Sequence, residues 1–158
     1  MRPVSRGFVR ESDSDAPEAL PDRAISPHPN FVTSTGLAKI DARLRELETL
    51  RSTALTAGDR SALAGIERDL RYWKQRRSSA RIIAPPAAPE IVRFGVAVSL
   101  QFDDGAERRY RLVGEDEADP PAGLISWTSP VGSALIGRRA GESVQLAGRQ
   151  AEIIAMQA

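Results

Sequence analysis

The chain of 158 residues has no cysteine and a single histidine, His28. The absence of cysteine excludes disulfide bonds and thiolate metal sites. The lone histidine lies in a proline-rich stretch, which argues against a Ser-His-Asp triad, other histidine-based acid–base chemistry and a histidine-rich metal cluster. No Gly-rich phosphate loop precedes a helix. We therefore expect a protein without a metal, a cofactor or a catalytic centre of these kinds.

Aromatic residues and long apolar runs are also scarce. Aromatic residues make up 5% of the chain, which is thin for a surface that stacks nucleic-acid bases. No apolar run approaches the roughly 20 residues that a membrane span needs, and the charged N-terminus lacks the apolar core of a signal peptide. The sequence therefore predicts a cytoplasmic protein with no membrane partner.

Charge is balanced overall but unevenly distributed. The net charge is +1, yet residues 31–84 hold 11 basic and 6 acidic groups, and residues 85–158 hold 7 and 10. A basic middle segment is typical of a binding surface, and it is equally typical of an ordinary solvated pair of helices. Residues 1–30 contain five prolines and few large apolar groups, which predicts a disordered arm ahead of two domains, 31–84 and 85–158.

The middle segment has the periodicity of two helices. Apolar residues recur with spacings of three and four from about Thr33 to Thr56, and again from Asp59 to about Ile83. A reversal at Gly58–Asp59 predicts a short antiparallel coiled coil. Its six layers would pair Leu37 with Ala80, Ile40 with Arg77, Leu44 with Trp73, Leu47 with Leu70, Arg51 with Ile66, and Ala54 with Leu63. On spacing alone, Gly58 ends the first helix, and Asp59 or Ser61 caps the second.

The last segment changes to an alternating pattern. Five strands are predicted, near 96–102, 107–114, 124–127, 143–146 and 150–155, with a short helix over 131–136 that follows the cap Ser129 and Pro130. We therefore predict an α+β protein: an antiparallel helical hairpin, followed by a small antiparallel sheet with one short helix on a face.

Two features of this segment remain open to a structural or a functional interpretation. Residues 115–120, EDEADP, hold four carboxylates, but no glycine inside the run forms the loop of a cation site, which favours a solvated acidic turn. Trp127 belongs either to the core of the sheet or to a binding edge.

Several motifs of the last segment resemble the C-terminal domain of the Gre family of bacterial transcription elongation factors. The resemblance is carried by VGEDEADP at 113–120, GLISWTSP at 123–130, ALIG at 134–137 and GESV at 141–144. In addition, FVTSTGL at 31–37 is similar to the opening of the family's first helix. The resemblance covers residues 31–158.

This resemblance implies a two-part protein that binds RNA polymerase. In the family, a coiled coil enters the polymerase's secondary channel, and an FKBP-like domain grips the channel rim. Two acidic residues at the coiled-coil tip help to hold an Mg²⁺ ion for cleavage of backtracked RNA. Here Gly58, Asp59, Arg60 and Ser61 match the first half of the tip motif, but Ala62 and Leu63 replace its glutamate and asparagine. Each arm is also shorter by roughly eight to ten residues, which removes on the order of 12 to 15 Å of reach.

The rim contact is better preserved than the tip. The resemblance assigns polymerase binding to Trp127, Thr128, Ser129 and Pro130, although an acid often occupies the position of Thr128. We therefore predict a monomeric regulator of elongation without cleavage-stimulating activity, which meets nucleic acid only through the elongation complex. Three alternatives stay open: an active cleavage factor that uses Asp59, an FKBP-like peptidyl-prolyl isomerase, and a direct nucleic-acid binder.

Overall fold

A computed structural model of the chain describes residues 19–158. Two long helices, α1 (Ser34–Ala57) and α2 (Arg60–Ser79), form the predicted antiparallel hairpin. At its base, strands β1 (Phe31–Val32) and β2 (Arg81–Ile82) pair in parallel. Thr33 caps α1 by accepting a hydrogen bond from the Gly36 amide at 2.9 Å. Neither long helix carries an apolar stretch of the length that a bilayer crossing needs.

The two helices pack in nearly the predicted register. Ile40, Leu47 and Leu70 are buried between them. Ion pairs cross the hairpin from Arg51 to Glu67 at 2.5 Å and from Arg77 to Asp41 at 2.5 Å. One layer at the base differs from the prediction, because α2 ends at Ser79 and Ala80, the predicted partner of Leu37, is extended. Arg77 is exposed, and its neighbour Arg76 is fully buried.

The C-terminal domain is a five-stranded sheet with strand order β5-β4-β3-β7-β6. Its strands are β3 (Ala97–Phe102), β4 (Glu107–Val113), β5 (Leu124–Ser126), β6 (Ser143–Leu146) and β7 (Arg149–Gln157). One short helix, α3 (Pro130–Leu135), packs against β5 and β6. The α+β class and the five strands are confirmed.

The expectation of a wholly antiparallel sheet is wrong for one strand. β5 pairs with β4 in parallel, with Arg111 opposite Leu124. After β4 the chain folds back through two 3-10 turns, Glu115–Glu117 and Pro120–Ala122, so that β5 begins beside the middle of β4 and runs in the same direction. The sheet is therefore mixed.

One face of the sheet forms the hydrophobic core together with α3. Leu100, Leu112, Leu135 and Ile153 are completely buried there. The helix approaches β5 very closely, since a Cβ atom added at Gly132 would lie 2.3 Å from the carbonyl oxygen of Ser126. This contact fixes the loop between β5 and α3.

Residues 19–30 differ from the predicted disorder of the arm. They lie along α2: Arg71 Nε donates to Asp22 Oδ1 at 2.6 Å, and Arg23 lies 3.8 Å above the ring of Tyr72. At the other end of this segment, the buried side chain of Asn30 donates to the carbonyl oxygen of Arg76 at 2.7 Å. Ion pairs and aromatic contacts on α2 thus order a segment with few apolar residues of its own. The remainder of the predicted arm, 1–18, lies outside the described residues.

Candidate functional site

The hairpin tip is a tight reversal with a helix cap on each side. Gly58 is left-handed, with φ 68°, and the amide of Asp59 donates to the carbonyl oxygen of Ala54 at 3.0 Å. Asp59 caps α2, because its Oδ1 accepts from the amide of Ala62 at 2.9 Å. The prediction of a capping role for Asp59 is confirmed.

The tip offers little to a metal ion. Gly58, Asp59, Arg60 and Ser61 are all exposed, and one carboxylate oxygen of Asp59 is occupied by the helix cap. The next carboxylate along α2 belongs to Glu67, which pairs with Arg51. Within residues 19–158 no group of three or more acidic, histidine or cysteine side chains is arranged to hold a metal.

The other predicted site, Trp127 to Pro130, is the loop between β5 and α3, and we call it the 127–130 loop. Ser129 caps α3: its Oγ accepts from the amide of Gly132 at 3.1 Å and donates to the Ser126 carbonyl at 2.7 Å. The hydroxyl of Thr128 lies 2.9 Å from that of Ser126. Pro130 is exposed, whereas the other three residues of the loop are half-buried. The structure therefore keeps these four residues together but directs two of their hydroxyls inward.

Trp127 lies at the junction of the hairpin and the sheet domain rather than in the sheet core. Its ring lies 5.0 Å from that of Phe31 and 5.8 Å from that of His28, centroid to centroid. Phe31 also meets Phe94, which follows the linker from the hairpin. The indole Nε1 is buried and finds no hydrogen-bond acceptor among the described residues.

The acidic turn is part of the same junction, and the expectation that water surrounds it is wrong for three of its four carboxylates. The guanidinium of Arg76, 2% exposed, donates to Asp116 and lies 3.4 Å from Glu115 Oε2. Glu117 is buried and accepts from the hydroxyl of Thr33 at 2.6 Å. Glu115, Asp116 and Glu117 therefore join the hairpin to the sheet domain, whereas Asp119, the fourth acid of the turn, is exposed.

Tyr72 completes this polar junction from α2. Its hydroxyl donates to Asp116 Oδ1 at 2.6 Å. Burial, together with this bond to a carboxylate, raises the pKa of Tyr72 to about 12. The phenol therefore remains a hydrogen-bond donor throughout the neutral pH range.

Acidic side chains offset much of the positive charge of the hairpin. Besides Arg51 and Arg77, basic residues of both helices form ion pairs at 4 Å or less. These pairs are Arg43–Glu46, Arg68–Asp69, Arg71–Asp22 and Lys74–Glu48. Such pairing favours the interpretation as a solvated helix pair over that of a continuous nucleic-acid surface.

Sequence reasoning singled out the tip and the 127–130 loop but missed the junction of the hairpin and the sheet domain. One local signal was available: Tyr72 and Arg76 stand four residues apart in α2, and therefore on one face of that helix. Their partners, however, come from the acidic turn some forty residues later. No local pattern connects the two.

The family model and the curated relatives agree on one family. The family model described as "Transcription elongation factor, GreA/GreB, C-term" matches residues 87–156. Transcription elongation factor GreB of Pseudomonas aeruginosa is 34% identical over an alignment of 127 residues that covers 68% of this chain and 76% of that protein. GreA of Chloroflexus aggregans is 34% identical over an alignment of 131 residues that covers 70% of this chain and 83% of that protein. Among solved structures, the GreA factor homolog 1 (Gfh1) protein of Thermus thermophilus matches 83% of this chain and 100% of its own, with 21% identity and a TM-score of 0.42.

Proposed function

The chain belongs to the GreA/GreB family, and from this premise we propose that it is an elongation factor that binds RNA polymerase without stimulating RNA cleavage. The C-terminal domain docks at the rim of the polymerase's secondary channel through the 127–130 loop. The hairpin then occupies the entrance of the channel. The protein acts as a cytoplasmic monomer and meets nucleic acid only through the elongation complex.

The tip is the observation that carries the proposed lack of cleavage. Metal-assisted phosphoryl transfer by two ions needs protein ligands that place both ions about the reacting phosphate. The tip has a single carboxylate, Asp59, and that carboxylate also caps α2. Ala62, which stands where the family motif has a glutamate, contributes only a methyl group.

The length of the hairpin supports the same conclusion. α1 has 24 residues and α2 has 20, so the hairpin is about 30 to 36 Å long at about 1.5 Å per residue. An Mg²⁺ ligand must lie within about 2.1 Å of the ion. A tip that stops on the order of 12 Å short of the family's reach contributes no ligand, whatever residue it carries.

Direct competition for the polymerase tests the docking half of the proposal. A fluorescently labelled active Gre factor is bound to core RNA polymerase, and this protein is added at rising concentration. We expect displacement of the label by the wild type and weaker displacement by Pro130→Ala, because Pro130 is the exposed member of the 127–130 loop.

The matched control is Pro121→Ala, which alters an exposed proline of the same domain in the turn before β5. This variant should displace the label as well as the wild type does. Failure of the wild type to displace the label at any concentration would contradict the proposed docking.

A further inference from the structure

The N-terminal segment crosses the 127–130 loop before it enters the hairpin. The ring of His28 meets the indole of Trp127 edge-on, with an interplanar angle of 72°. The phenyl ring of Phe31 covers another side of the same indole. Trp127 is consequently half-buried, while His28 is itself exposed. We call residues 26–29, which include His28, the cover segment.

The cover segment and the 127–130 loop share one carboxylate. Glu115 Oε1 accepts from the hydroxyl of Ser26 at 2.8 Å and from that of Thr128 at 3.2 Å. The same Ser26 hydroxyl also accepts from the amide of His28 at 3.3 Å, which shapes the turn over Trp127. The cover is thus held by a few polar bonds rather than by a buried apolar side chain.

The residues on either side of the cover segment are held by stronger contacts than the cover segment itself. Asn30, on the C-terminal side, is buried and bonded to α2. On the N-terminal side, Asp22 pairs with Arg71, and Arg23 lies over the ring of Tyr72. A segment held between two anchors can lift from the loop without release of the whole arm.

The indole N–H of Trp127 gives the covered state an unfavourable feature. It is buried and has no acceptor in the described part of the chain. A buried donor without a partner has lost its bond to water and gained nothing in exchange. A docked partner that presents an acceptor at this position therefore gains a hydrogen bond, together with the apolar face of the ring.

We propose that the cover segment is an intramolecular competitor for Trp127, which RNA polymerase displaces when it docks at the 127–130 loop. The arm thereby lowers the affinity of this protein for the polymerase. This inference rests on the docking proposed above. It adds that the polymerase surface offers a hydrogen-bond acceptor to the indole, and that this chain's own arm regulates access to it.

The test uses the full chain and a variant that loosens the cover, Ser26→Ala with His28→Ala. The matched control is Ala24→Ser, an exposed position in the same stretch between the anchors. Affinity for core RNA polymerase is measured by the displacement assay. Loss of one aromatic contact and two hydrogen bonds predicts about two- to tenfold tighter binding for the loosened variant and unchanged binding for the control.

A second readout shows that the cover has opened without unfolding of the domain. The chain has two tryptophans, so a Trp73→Phe background leaves Trp127 as the sole indole fluorophore. Acrylamide should quench its emission more strongly in the loosened variant than in the wild type, at an unchanged unfolding midpoint.

The possible outcomes separate the two proposals. Tighter binding together with greater quenching supports the cover. Equal or weaker binding of the loosened variant contradicts the proposed role of the cover segment and leaves the docking proposal unaffected. If neither the wild type nor the variant displaces the label, the docking proposal is wrong, and the proposed role of the cover segment is wrong with it.

Discussion

The buried guanidinium of Arg76 in α2 donates to the carboxylate of Asp116, in the turn after β4. This pair joins the helical hairpin to the sheet domain, and Tyr72 donates to the same carboxylate. The direction in which the hairpin leaves the domain therefore depends on a polar cluster rather than on a flexible linker. In the proposed function, that direction determines how far the tip reaches.

Replacement of Arg76 by methionine should destabilise the protein strongly. Arg76→Met leaves the carboxylate of Asp116 without its charge partner in a largely buried site, which costs about 3 to 5 kcal/mol. The neighbouring variant Arg77→Met breaks an exposed pair with Asp41 and should cost about 1 kcal/mol or less. Denaturant unfolding measures both losses, and equal losses would contradict the structural role of Arg76.

Tyr72 should remain protonated well into the alkaline range. Its pKa is raised to about 12, first by burial and then by the bond to Asp116. A phenol whose pKa is higher in the folded state stabilises that state fully below the unfolded pKa of about 10, and this contribution is lost as the pH rises toward 12. The stability advantage of the wild type over Tyr72→Phe should therefore be constant up to about pH 10 and shrink above it.

Absorbance at 295 nm provides the direct check on Tyr72. Titration of the wild type should show a phenol that ionises near pH 12 and is absent from the titration of Tyr72→Phe. A wild-type titration without this late-ionising phenol would rule out the buried bond to Asp116.

Much of this architecture could be predicted from local patterns. The spacing of apolar residues placed both helices, and the glycine–aspartate pair placed the reversal with Asp59 as a cap. Caps and turns depend on neighbours in the sequence, so their physics is visible there.

The features that could not be predicted depend on residues distant in sequence. EDEADP at 115–120 has the composition of a solvated turn, and only the fold brings Arg76 and Thr33 against its carboxylates. The parallel direction of β5 depends on the path taken by residues 114–123, which no alternation pattern encodes. The position of Trp127 depends similarly on the arm, since Phe31 and His28 reach it from the other end of the chain.

Two glycine substitutions should have opposite effects on stability. Gly132→Ala places a Cβ atom 2.3 Å from the carbonyl oxygen of Ser126, so the helix must move away from β5 at a cost of about 1 to 3 kcal/mol. Gly65→Ala meets open space within α2 and should stabilise the protein by about 0.5 to 1 kcal/mol. Thermal unfolding of both variants checks the pair, and a stabilising Gly132→Ala would contradict the packing of α3.

Asp59 should stabilise the protein only through the hydrogen bond by which it caps α2. Asp59→Ala removes the acceptor for the amide of Ala62 and should cost about 0.5 to 2 kcal/mol, whereas Asp59→Ser retains a capping oxygen and should cost little. Denaturant unfolding measures the difference between the two variants. A loss for Asp59→Ser as large as that for Asp59→Ala would show that the carboxylate does more than cap the helix.

RNA cleavage in backtracked elongation complexes distinguishes a competitor of active Gre factors from a cleavage factor. An excess of this protein is added together with a limiting amount of an active Gre factor and Mg²⁺, and the cleaved RNA is followed over time. We expect suppressed cleavage with the wild type, and the same suppression with Ala62→Glu, because the added carboxylate stands on a tip too short to reach the metal. Cleavage enhanced by the wild type would show that the tip contributes to the chemistry and that the proposed lack of cleavage activity is wrong.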